Sequence, residues 1–117
     1  MGRKNVIKSF KLIDSEDLAT SFTTQNVNVI NLDKASIHLS WTGTSPIGAF
    51  TVEARNGEDD DWFELTLGGG TIDISGDSGD HQLNFFELPF TDIRLIYTAT
   101  SGIGTIEGFL SAKVTGA

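Results

Sequence analysis

Ala35, Ile37, Leu39 and Trp41 alternate with Ser36, His38, Ser40 and Thr42, and the same two-residue period returns where Phe50, Val52 and Ala54 alternate with Thr51, Glu53 and Arg55. Successive side chains point to opposite faces in an extended strand, so this period predicts strands with one face in a core and the other outside it. No segment carries a sustained 3.6-residue apolar stripe that would compete. Residues 6–13, 22–30, 62–67, 71–74, 81–88, 92–100 and 105–115 also have strand character, giving about nine strands. Turn formers punctuate them at Asn56-Gly57, Gly68 to Gly70, Gly76 to Asp80 and Ser101 to Gly104. The expected fold is all-β: a single antiparallel β-sandwich of jelly-roll or immunoglobulin-like topology, one domain over residues 1–117 with a basic N-terminal arm at about 1–11. Residues 14–19 read as one helical turn capped by Asp14 or Ser15.

Two connections have a turn chemistry of their own. Proline presets φ and glycine accepts positive φ, so Thr44-Ser45-Pro46-Ile47-Gly48 reads as the turn between the two alternating strands. Gly102-Ile103 puts glycine first, as a type II′ hairpin prefers. That hairpin would pair Thr100 with Thr105, Tyr97 with Gly108 and Leu95 with Leu110, and would set Ile96 across from Phe109 as an apolar pair on the outer face.

The 117 residues include no cysteine, which removes disulfides and thiolate metal sites. No apolar run approaches the roughly 20 residues a membrane helix needs, and MGRKNVIKSF lacks the apolar stretch of a secretory signal. A soluble chain made in a cytoplasm is the expectation. The net charge is −8, yet Arg3, Lys4, Lys8 and Lys11 are half of the eight basic residues. The acidic remainder would repel phosphate backbones, which argues against nucleic acid as a partner. The basic arm suits an acidic neighbouring surface, or serves as a solubilising terminus.

Candidate chemistry is sparse. Gly76-Asp77-Ser78-Gly79 matches the nucleophile loop of chymotrypsin-like proteases in letters, but Asp80 stands where that loop needs glycine and His81 is too near Ser78 to act as its base. It reads as a polar loop whose Asp and Ser bond local amides. Glu58 to Asp61, or Asp73 with Asp77 and Asp80, offer oxygen ligands for calcium without an EF-hand spacing, and a solvated loop is the simpler reading. Glu53, Glu64 and Glu87 do not converge as an acid–base pair, and His38 with one other histidine is a poor basis for zinc. The expectation is therefore no enzyme, no cofactor and no metal. Trp62 falls on the outer side of its strand beside Glu64, where it could stack on a sugar, serve a subunit interface or cap the core edge.

The stretch WTGTSPIGAFTVEARNGEDDDWFEL from Trp41, followed by LPFTDIRLIYTATSGIGTIEGFLSAKVTGA, resembles a family of small tailed-bacteriophage virion structural proteins. The likeness lies in a WTGTPTG-like turn, an LPF-IRL-YT strand and an SGTGT-like hairpin, and the chain departs from it at Glu58 to Asp61. The resemblance implies a non-enzymatic capsid decoration (cement) protein on the capsid exterior. It would be a homotrimer bound to the major capsid protein, with Arg3, Lys4, Lys8 and Lys11 steering the arm and Trp62, Ile96 and Phe109 as anchors. A carbohydrate-binding sandwich and a tail or baseplate component are the alternatives.

Overall fold

A computed structural model describes residues 5–29, 34–65, 72–85 and 91–115. It is all-β and antiparallel, as the alternation predicts. The strands are β1 (Asn5–Asp17), β2 (Phe22–Thr23), β3 (Val27–Asn28), β4 (Lys34–Arg55), β5 (Phe63–Glu64), β6 (Ile72–Ile74), β7 (Ser78–Phe85) and β8 (Asp92–Thr115). They form one hydrogen-bonded sheet whose main path is β1-β8-β4-β5, with β2 and β3 also on β8 and β6 and β7 also on β4.

β4 and β8 run side by side from Lys34 opposite Lys113 to Arg55 opposite Asp92. Both expected hairpins are thereby corrected: neither Thr44–Gly48 nor Gly102-Ile103 reverses the chain. Each is a bulge in a continuous strand. Thr44 pairs with Ile103, Ile47 with Ser101 and Gly48 with Ala99, so β4 carries one extra residue and then β8 carries one, and the register is restored. Ser45 (φ 47°) and Gly102 (φ 79°) take the left-handed conformations that such bulges use.

The paired bulges also explain the core. A one-residue insertion moves every following side chain to the other parity. Before the bulge the buried residues of β4 are Ala35, Ile37, Leu39 and Trp41; after it they are Phe50, Val52 and Ala54. β8 switches likewise, from Ile93, Leu95 and Tyr97 to Ile106, Leu110 and Ala112. The parity change at the bend keeps one sheet face apolar along both strands, and all these residues join a single hydrophobic cluster with Leu12, Ile13, Leu18, Val27, Val29, Ile72 and Ile74. Twenty-two residues of straight strand would span about 70 Å at about 3.3 Å each, whereas the longest dimension is 52 Å. The strand pair is therefore bent about its own core.

The bend divides the sheet into two halves. One contains β1, the C-terminal part of β8, the N-terminal part of β4, and β7. The other contains β2 and β3, the N-terminal part of β8, the C-terminal part of β4, and β5 and β6. In the second half Tyr97 packs on Phe50 and Phe22 with centroids 4.9 and 5.3 Å away, and its hydroxyl donates to the Leu18 carbonyl at 3.1 Å. The helical turn expected over residues 14–19 is instead the end of β1 followed by a turn in which Asp17 Oδ1 accepts the Ala19 amide at 2.8 Å. The triple glycine falls outside the described residues.

Candidate docking surfaces

Outward-facing residues of the first half align in rows across four strands. Ser9 pairs with Ser111, Ser111 with Ser36 and Ser36 with Asn84; the next row is Lys11, Phe109, His38 and Gln82. Phe109 is 41% exposed, and the Lys11 ammonium lies 5.6 Å from its ring centre. Lys11 also meets Asp14 at 3.2 Å and Glu107 at 3.3 Å, and Ser15 Oγ donates to the same Glu107 oxygen at 3.2 Å. The hydrogen bond to Asp14, then that to Glu107, raises the Lys11 pKa above its ordinary value. This face joins a row of serines and Asn84 to a row of longer polar side chains from which the Phe109 ring stands exposed.

The outer face of the second half is built from charge. Arg94 pairs across the strands with Glu53 and Arg55 with Asp92, at 2.7 and 3.1 Å. These side chains are about four-fifths buried on average, less solvated than a surface pair, and each ion pair stabilises by about 1 kcal/mol. Trp62 lies against both guanidinium groups, 4.6 Å from Arg55 and 4.1 Å from Arg94. The turn before it is closed by Asp60, whose Oδ2 accepts the Asn56 amide at 2.9 Å and whose amide donates to the Gly57 carbonyl at 3.1 Å, and it is tied to the residue before β8, Thr91, whose Oγ1 accepts the Gly57 amide at 2.7 Å. The ring that the sequence places outward is thus a lid on two ion pairs, held in place from beneath.

At the bend the sheet exposes Ile103 (62%) and Ile47 (45%). Asp77 supports this corner: its carboxylate accepts the Ser45 amide at 2.8 Å and its carbonyl accepts the Gly43 amide at 2.7 Å. The Gly-Asp-Ser-Gly segment is thus corrected from a loop closed on its own local amides: Asp77 bonds the distant β4 bulge, and Ser78 and Gly79 already belong to β7. Gly79 leaves room for the Trp41 ring, which a Cβ there would strike.

The sequence-predicted interface residues that are described do not converge on one patch. Arg3 and Lys4 lie outside the described residues; Lys8 is in β1 opposite Ala112. Lys11 and Phe109 share the outer face of the first half, whereas Trp62 and Ile96 belong to the second half. The expected Ile96–Phe109 pair does not exist, because Ile96 pairs with Thr51 and Thr23 and Phe109 with His38 and Lys11. Ile47 and Ile103 fall in segments that the sequence reads as turns; the available signal is a large apolar residue beside glycine, in Pro46-Ile47-Gly48 and Gly102-Ile103-Gly104. No group of three or more His, Asp or Glu side chains able to hold a metal occurs among the described residues. A shallow groove of about 290 Å³ runs between β1 and β2, lined by Lys11, Asp14, Glu16, Phe22, Thr23 and Gln25.

No protein-family model matches the chain, and no curated protein matches it. Solved structures do share its fold. The SPBc2 prophage-derived protein YomS superposes with a TM-score of 0.60 at 12% identity, over 92% of this chain and 95% of that one. A chain in the structure of infectious bursal disease virus strain Gx gives 0.58 at 11% identity over 95% of this chain, and one from strain Gt gives 0.56 at 12% over 95%. This chain spans about a third of either viral chain, 33% and 32% respectively. The fold is thus one found in a prophage-derived protein and within larger chains of a virus particle.

Proposed function

We propose that the protein is a non-enzymatic virion structural component, a capsid decoration protein that docks on the coat lattice and stabilises the head. The observation carrying this reading is the end-to-end correspondence with a prophage-derived protein, which spans nearly all of both chains. The resemblance of the Trp41-to-C-terminus motifs to phage virion proteins points the same way. The strand order of the two halves, β1-β8-β4-β7 and β2/β3-β8-β4-β6, favours a jelly roll over an immunoglobulin-like sandwich, because each long strand passes from one half to the other.

In this reading the basic segment holding Arg3, Lys4, Lys8 and Lys11 steers the acidic body onto the coat, and Phe109, Ile96 and Trp62 supply apolar anchor area. A protein that binds only the assembled shell stabilises it by mass action. The partner is the major capsid protein, and the active species is a homo-oligomer, most simply a trimer.

The test combines purified protein with intact capsids that lack it, followed by co-sedimentation and capsid melting. Binding with a raised shell melting temperature supports the proposal. Protein that stays in the supernatant while the shell melts unchanged would overturn it, and binding to purified tails instead would move the assignment to a tail component.

A further inference from the structure

We infer that the free edge of β7 is a self-association surface, filled by the N-terminal strand of a second copy. Among the described residues β7 hydrogen-bonds to β4 alone, in unbroken register from Ala35 opposite Phe85 to Thr42 opposite Ser78. Among the described residues its other side therefore presents a row of backbone donors and acceptors. Edge strands in monomeric proteins are normally blunted by lysine, proline, a bulge or an inward charge. β7, SGDHQLNF, has no lysine, no proline and no bulge; its one acid, Asp80, faces outward opposite Ser40, and His81 stands on the inner side opposite Leu39. β1, at the opposite edge of the same half, shows two register shifts, near Lys11 to Ile13 and Ile13 to Glu16, while residues 5–11 before them stay regular.

Charge selects the occupant. Residues 77–85 contain Asp77 and Asp80 with no lysine or arginine, and residues 3–11 contain Arg3, Lys4, Lys8 and Lys11 with no acid. Asp80 is exposed, with His38 4.0 Å away. Direction agrees as well. β1 is antiparallel to β8, β8 to β4 and β4 to β7, so β1 and β7 run opposite ways. A second copy in the same orientation lays its β1 antiparallel to β7 and continues the four-stranded half across the interface. The contact joins two different surfaces, so it closes into a ring or propagates as a filament. It deepens the oligomer part of the decoration reading, and its test needs no capsid, so the two can fail separately.

The cysteine-free chain permits a direct test. Ser9 and Gln82 are exposed on β1 and β7. Within one molecule β8 and β4 separate those strands by three spacings, about 14 Å, too far for a disulfide. Under mild oxidation the Ser9→Cys/Gln82→Cys variant, or Lys11→Cys/Gln82→Cys if the register is shifted by one pair, is expected to give disulfide-linked species beyond the dimer, with each single variant unlinked. Light scattering of the unmodified protein is expected to show a concentration-dependent oligomer, weakened about tenfold by Asp80→Lys. A monomer at all concentrations would sink the inference. So would a linked dimer from Gln82→Cys alone, which means β7 pairs with β7, or an oligomer that ignores Asp80→Lys and links in neither double variant.

Discussion

Asp77 braces Ser45: its carboxylate accepts the Ser45 amide at 2.8 Å while its own carbonyl accepts the Gly43 amide at 2.7 Å. Ser45 sits at positive φ in the β4 bulge, so a side chain from the loop before β7 fixes the point at which the two long strands bend. Asp77→Ala is expected to destabilise the fold by about 1–2 kcal/mol through the lost hydrogen bond. Asp77→Asn, which keeps an acceptor oxygen, should cost less than half of that. Urea unfolding of the three proteins checks the order.

Gly102 and Gly48 are required by space. A Cβ at Gly102 would fall on the Ser45 carbonyl, at a positive φ that also disfavours a side chain; one at Gly48 would fall on the Tyr97 hydroxyl. Alanine at either position is expected to cost about 3 kcal/mol or more. Gly57 also has positive φ but open space around it, so Gly57→Ala should lose only about 1 kcal/mol. Thermal melts of the three variants should rank accordingly.

Tyr97 is the chain's one tyrosine, so its ionisation is visible by ultraviolet absorbance. Burial first, and the Asp17 carboxylate second, push its pKa above the ordinary 10.0. Because the folded value is raised, the stability linked to Tyr97 is fully present below pH 10 and is lost as pH rises through the folded pKa. A native absorbance midpoint above that of the urea-unfolded chain is expected. Tyr97→Phe should lose about 1 kcal/mol at neutral pH, by stranding the Leu18 carbonyl, and should flatten the alkaline fall in stability. Lys11, whose pKa is also raised, contributes no absorbance.

Trp62 rests on Arg94 and Arg55, each tied to a carboxylate. Arg94→Ala removes one support and leaves Glu53 unpaired, and is expected to cost about 1–2 kcal/mol. A Glu53/Arg94 double-mutant cycle should return a coupling of about 1 kcal/mol that shrinks in high salt. Fluorescence gives an independent reading. In Trp62→Phe only buried Trp41 remains, so emission should be blue-shifted and poorly quenched by iodide.

Alternation alone identified the all-β class and the inner faces of the long strands: Ile37, Leu39 and Trp41, then Phe50, Val52 and Ala54, are all buried, whereas Trp62, just before β5, lies against the outer-face arginines and its neighbour Phe63 is exposed as well. These features depend on the chain's own period of two, which any extended conformation must obey. The bends at Thr44–Gly48 and Ser101–Gly104 were beyond it. Glycine, proline and a positive φ serve a hairpin turn and a bulge equally well, so local chemistry could not separate reversal from continuation. Only the pairing of β4 with β8 over their whole length, braced by Asp77 from a distant loop, made the choice, and with it parted Ile96 from Phe109 and exposed Ile47 and Ile103. Tertiary structure decided these matters because they rest on hydrogen bonds between residues far apart in the chain, which neither partner's local sequence specifies.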